Sequence, residues 1–248
     1  MTPTKCTPED QVFGPEGNHL LAMLSDEDAA RWQLQLEQVD LALGQVLSES
    51  GSPPAYVYFP TTAIVSLLYT TAEGQCSEIA VVGCDGLVGI SVFMGGNTTP
   101  SQAVVQSAGR AWRMSARAVR EERANSPAVL RMMLGYVQAM LAQVAQTAAC
   151  NRYHSIDQLL CRRLLLGLDR SRSDSLVMTQ ELAASLLGVR REGVTGAALK
   201  LQQAGVISYS RGRISVLDRS ELLARTLSAP ARSAACRREP TARVALAA

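Results

Sequence analysis

The chain has 248 residues, is 47% hydrophobic and carries a formal net charge of +2. That length accommodates one large domain or two small ones, and the apolar fraction supplies a sizeable core. The composition excludes a uniformly basic nucleic-acid coat protein, and no run of about 18 apolar residues marks a membrane span. The N-terminus lacks the basic start and apolar centre of a secretory signal, so no signal peptide is expected, and cysteine usage without a CxxC pair fits a reducing cytoplasm. Six cysteines at 6, 76, 84, 150, 161 and 236 contain no CxxC pair, which argues against a zinc site or a disulfide framework.

Residues 1–17 are rich in Pro, Thr and Gly, and residues 229–248 in Ala, Arg, Ser and Pro; both read as disordered tails. Leu20 to Gln38 reads as helical. From Val39 to Met114, β-branched runs alternate with glycines, the pattern of short strands in a small barrel or roll. Helical turns follow over Ser115 to Ser126, closing a domain placed at 18–126. Pro127 suits the first turn of a long helix, placed at 127–150. Along it Leu130, Met133 or Leu134, Val137, Met140 or Leu141, Val144 and Ala148 recur at heptad-like intervals. A seam of this length wants a partner helix, so a parallel homodimer is expected through Leu130, Met133, Val137, Met140, Leu141 and Val144.

The most specific signal lies between Met178 and Val216, inside a module placed at 151–228. Thr179 is a hydroxyl N-cap, followed by an amphipathic run through Leu186. Ala184 and Gly188 permit a close crossing and a turn. A second run follows, with Val189, Val194, Ala197, Ala198 and Leu201 apolar and Arg190, Arg191 and Glu192 at its start. Two helices, a glycine turn and base-capable side chains make a helix-turn-helix. Residues 206–216 then read as two short strands joined by the basic turn Arg211–Gly212–Arg213, a wing. Charge is concentrated here: Arg152 to Arg213 holds ten basic and five acidic residues, while the N-terminal half is acidic.

These residues also carry a resemblance. From Asp157 to Leu217 the chain resembles the DNA-binding end of Crp/Fnr transcription regulators, whose recognition helix opens with Arg-Glu, a small or hydroxyl residue, and Val. Arg191, Glu192, Gly193 and Val194 match that order. Leu20 to Gln106 is similar to the family's sensory roll, notably Leu24 to Asp28 (LSDED) and Tyr56 to Pro60 (YVYFP). The resemblance implies an α+β protein with an N-terminal β-roll of cyclic-nucleotide-binding type, a long dimerisation helix and a C-terminal winged helix-turn-helix. It implies double-stranded DNA as partner, self-association as a homodimer, and RNA polymerase as a further candidate partner. Thr179, Gln180, Arg190, Arg191, Glu192, Thr195, Lys200, Arg211 and Arg213 are the candidate DNA contacts. The family places another arginine near the position of Gly196.

In cyclic-nucleotide-binding members the roll offers a glutamate to the ribose and an arginine to the phosphate. The matching segment here is Gly86, Leu87, Ser101 and Gln102. Leu87 stands at the glutamate position and Ser101 at the arginine position, so a bound anion would lack its counter-charge. Iron-sulfur members need several N-terminal cysteines, and only Cys6 precedes the roll. His19 and His154, the only histidines, suit surface or capping roles better than ligation. Cys76 and Cys84 suit buried apolar positions better than a redox pair. No cofactor, metal site or catalytic residue is expected; the P-loop, GxSxG and HExxH patterns are all missing. Two functions compete: a sequence-specific transcription regulator, and a ligand-binding regulator whose C-terminal module binds protein rather than DNA.

Overall fold

The computed structural model describes residues 17–96, 98–171 and 175–227. The two tails (apart from Gly17), Cys6, Cys236, Arg172 and Asp174 lie outside the described residues. A 3-10 turn at Leu21–Met23 precedes helix α1 (Asp26–Gln33), whose N-cap Ser25 accepts from the Asp28 amide. The expected helix over Leu20 to Gln38 is therefore shorter. Residues from Glu37 are claimed by strand β1 (Glu37–Leu41), which pairs antiparallel with a strand far along the chain, Glu37 facing Arg113.

The roll continues with β2 (Val46–Ser48), β3 (Tyr56–Pro60), β4 (Ile64–Thr70), β5 (Cys76–Val82), the short helix α2 (Ser91–Met94), β6 (Gln102–Ser107) and β7 (Gly109–Ser115). The strands form two antiparallel sheets of order β1-β7-β3 and β2-β6-β4-β5. Val65, Val82, Val88, Val105 and Ala111 are buried together in one roll core. A second core gathers Trp32, Phe59, Leu87, Phe93 and Met114. There the Trp32 ring meets Phe59 edge-on at 5.8 Å, and its indole N–H donates to the buried Glu122 (3.1 Å).

Helix α3 (Ala116–Asn125) leads to α4 (Pro127–Tyr153), with Ser126 as N-cap and Pro127 at the first turn. By length and composition alone α4 is apolar enough to cross a membrane, although no run of 18 consecutive apolar residues exists in it. One side of it, Val129, Met132, Met133 and Tyr136, closes the Trp32 core. Here the expected seam needs correction. Met133 is only 1% exposed and belongs to the chain's own core, and Met140 is half-buried against both roll cores. Leu130, Leu134 and Leu141 face outward, with Val137 and Val144 half-buried. Their spacing of four and three residues makes Leu130, Leu134, Val137, Leu141 and Val144 the outward stripe.

Helix α5 (Ile156–Arg170) starts with a capping box between Ser155 and Gln158. It is followed by β8 (Ser175–Val177), α6 (Gln180–Leu187), α7 (Arg191–Gln203), β9 (Ile207–Ser210), β10 (Arg213–Val216) and α8 (Arg219–Leu227). Leu160, Leu164, Met178, Val194, Leu201 and Ile214 share the core of this module. Its sheet has three strands, ordered β8-β10-β9, where two were expected from sequence.

A candidate nucleic-acid interface

Thr179 caps α6 by accepting from the Leu182 amide (3.1 Å). The helix ends at Gly188 with φ 64°, a left-handed conformation that disfavours side chains bearing a Cβ. The Val189 amide closes the turn by donating back to the Ala184 carbonyl (3.0 Å). Helix α7 then begins without a side-chain cap: Arg190 occupies the N-cap position and makes no capping bond. Val194, Ala197, Ala198 and Leu201 bury one face at spacings of three and four. Arg190, Arg191, Glu192, Thr195, Gly196, Leu199 and Lys200 are all exposed.

The outward residues have different degrees of freedom. Arg190, Arg191, Glu192 and Arg211 form no ion pair among the described residues. Thr195 donates to Gln180 Oε1 (2.7 Å) and lies 3.0 Å from the Arg191 carbonyl oxygen, tying the start of α6 to the first turn of α7. Lys200 is paired with Asp157 of α5 at 2.9 Å. Both partners are exposed, so the pair contributes at most about 1 kcal/mol and can be exchanged for a phosphate. Arg213 Nη1 donates to the Ser175 hydroxyl (3.0 Å), so its guanidinium lies over β8. A Cβ added at Gly196 would meet nothing within 4 Å, which leaves the position of the missing arginine open.

The wing ends in a two-residue turn. Arg211 has φ 50° and Gly212 φ 74°, the pairing a type I′ hairpin requires. An arginine in this conformation costs about 1 kcal/mol relative to an ordinary φ, yet it puts the only free cation of the wing, among the described residues, at the tip. Sequence reading found the basic turn but not β8, whose three residues are too short to produce a periodic signal.

The residues of the expected effector segment are engaged by other parts of the chain itself. Leu87 is buried in the Trp32 core, and its carbonyl accepts from the Tyr136 hydroxyl of α4 (2.9 Å). A Cβ on Gly86 would lie 2.5 Å from that hydroxyl oxygen. Burial pushes the Tyr136 hydroxyl well above the usual phenol range, so it stays protonated and donating. Ser101 is buried and hydrogen-bonded to Thr99 (3.0 Å), and Gln102 donates to Glu49 (2.8 Å). Arg113 is paired with Glu37 (2.8 Å) and stacks over Tyr56 at 4.4 Å.

Neither histidine joins a cluster of potential metal ligands among the described residues. His154 is the C-cap of α4, and burial and then the nearby Arg162 hold it below the usual imidazole range. Cys84 is disulfide-bonded while Cys76 is a free thiol, so these two do not pair, and a disulfide is present although the cysteine spacing argued against a disulfide framework. Burial pushes the Cys161 thiol up to about 11, which leaves it unreactive near neutral pH.

The geometry defines a class: a roll joined through a long helix to a winged helix-turn-helix. The family model for a cyclic nucleotide-binding domain matches residues 38–126, and that for a Crp-like helix-turn-helix domain matches residues 159–225. The chain belongs to the Crp/Fnr family of transcription regulators. Solved structures agree on the fold. A protein described as a transcriptional regulator of the Crp/Fnr family from Eubacterium rectale is 17% identical, with TM-score 0.68, covering 86% of this chain and 99% of that one. A Crp/Fnr-family transcriptional regulator from Thermus thermophilus is 20% identical, with TM-score 0.63, covering 77% and 99%. FixK2 from Bradyrhizobium japonicum is 16% identical, with TM-score 0.63, covering 75% and 95%. No curated protein sequence matches the chain.

Proposed function

We propose that this protein is a sequence-specific DNA-binding transcription regulator of the cytoplasm, without enzymatic activity, that grips a palindromic operator as a homodimer. The observation that carries this reading is the start of α7. Arg190, Arg191 and Glu192 stand exposed there, unpaired among the described residues, opposite the face that Val194, Ala197, Ala198 and Leu201 bury. A helix that buries one face and offers a free Arg-Glu pair on the other is shaped for the major groove. Arginine there fits guanine O6 and N7, and glutamate accepts from cytosine N4. Arg190, Lys200, Arg211 and Arg213 supply phosphate contacts, and Thr179, Gln180 and Thr195 position the first turn.

The outward stripe of α4 supports the homodimer. Two copies joined there would present two recognition helices to half-sites about 34 Å apart. The effector segment, engaged by the chain itself, supports a regulator that does not answer to cyclic nucleotides. Selection of bound duplexes from random DNA by the purified full chain tests the reading. The expected result is a symmetric consensus with half-sites one helical turn apart, and binding that weakens steeply with salt. Recovery of unenriched DNA, or binding insensitive to salt, would refute it.

A further inference from the structure

The loop between β5 and Leu87 leads into the segment matched above to the family's effector site. In this chain it holds the DNA-binding module instead. Arg170, the last residue of α5, reaches the loop and pairs with Asp85 at 2.9 Å. Its aliphatic stem crosses Gly83 so closely that a Cβ there would lie 2.7 Å from the Arg170 Cβ. Two turns earlier on α5, Arg163 pairs with Glu78 of β5 at 2.8 Å, both side chains almost wholly buried. Gln106 of β6 accepts from Arg163, and Ser66 of β4 donates to Glu78. The turn of the helix-turn-helix also touches this surface, Gly188 lying against Cys76 and Ser77 of β5.

Two guanidinium groups are thus desolvated at an interface between modules. Such groups tolerate burial only with a carboxylate in place, and each has one here. In this arrangement Arg190 and Arg191 remain exposed. The space between α4, β5 and α5, lined by Val81, Asp85, Tyr136, Gln143 and Arg170, has room for a water molecule and no more.

We propose that the Glu78–Arg163 and Asp85–Arg170 pairs form a built-in latch: the former effector loop docks the winged helix onto its own roll and holds it ready for DNA without a bound small molecule. This rests on the DNA-binding reading above. The covered loop, the buried pairs and the free recognition face are three separate features of one arrangement.

Disulfide trapping tests it on the full chain. A Cβ on Gly188 would lie 3.6 Å from the Ser77 Cβ, within the range a disulfide spans. A Ser77→Cys/Gly188→Cys variant carries Cys76→Ser to keep the pairing unambiguous. It strains the left-handed turn at 188, so its reduced form is first matched to the wild type in melting temperature and duplex affinity. It should then crosslink within one chain under mild oxidation. Two changes should slow that crosslinking at least tenfold. One is Glu78→Gln with Arg163→Met, which removes both charges together and leaves neither stranded. The other is Gly83→Val, a wedge under the Arg170 stem that alters no charge. The oxidised protein should bind its selected duplex as tightly as the reduced form. Crosslinking at an unchanged rate in both variants overturns the latch, as does a tenfold loss of duplex affinity on oxidation. A wild-type protein that selects no consensus refutes the DNA reading instead, and the crosslinking rates then decide whether the modules are latched.

Discussion

Replacing Leu134 and Leu141 of α4 together with glutamate should convert the protein to monomers. The two leucines are 57% and 65% exposed, whereas Met133 is 1% exposed in the chain's own core. Fully burying a leucine stabilises by about 1.5–3 kcal/mol, so each of these has roughly 1–2 kcal/mol left to gain from a partner. Two helices facing each other contribute four such residues, about 4–8 kcal/mol in all at that rate. At about 1.4 kcal/mol per tenfold, losing them weakens association by roughly three orders of magnitude or more, before the cost of desolvating four glutamates is added. Sedimentation equilibrium across micromolar concentrations reads the change. Met133→Ala is the control: it should lower the unfolding free energy by about 2–5 kcal/mol through a core cavity and leave the mass unchanged. A dimeric glutamate variant, or a monomeric Met133→Ala, would show that the stripe has been assigned to the wrong face of the helix.

Other changes have equally definite outcomes. Arg191→Ala should cost about 1–3 kcal/mol at one base position and relax preference there; uniform weakening across all sequences would make Arg191 a phosphate contact. Arg211→Asn relieves the strained wing turn, so thermal stability should hold or rise while DNA affinity falls and the salt slope drops by about one; an unchanged slope removes Arg211 from the interface. Burial raises the affinity of Asp28 for a proton, but bonds from Ser25, Arg31 and Ser126 overcome this and hold its carboxyl below the usual range. The stability it contributes is therefore present above its unfolded pKa and lost as pH falls through the folded value. Asp28→Asn should flatten the acid limb of the stability profile, and an unaltered limb would locate the acid sensitivity elsewhere. Calorimetry with millimolar cyclic AMP or cyclic GMP should show no saturable binding, because Leu87 and Ser101 offer no counter-charge; micromolar binding would mean the segment has been wrongly matched.

The helix-turn-helix was legible because its determinants are local. The Thr179 cap, the Gly188 turn and the periodicity of Val194 to Leu201 act within a few residues of one another, and the chain there obeys them. The first helix was overread because Glu37 and Gln38 have helical propensity but are taken into a sheet by Arg113 and Trp112, far along the chain. A sequence window contains no record of that pairing. The face of α4 was half legible for a related reason. A helix apolar on several sides offers both Met133 and Leu134 to a heptad, and only the position of the roll decides which is left outside.

Charge shows most clearly where local reading ends. Ten basic residues between Arg152 and Arg213 suggest a positive surface, but Arg163 and Arg170 are buried against Glu78 and Asp85. Paired and buried, they add little to the field at the surface. Among the described residues the exposed arginines of the module are fewer, Arg152, Arg190, Arg191, Arg211 and Arg213 among them. On the proposed DNA-binding reading, few free cations should give a modest sequence-independent affinity and leave recognition to the Arg191–Glu192 pair. Gly196→Arg, entering open space on the same face, should restore non-specific binding and steepen the salt dependence; if it leaves both unchanged, position 196 does not face the duplex.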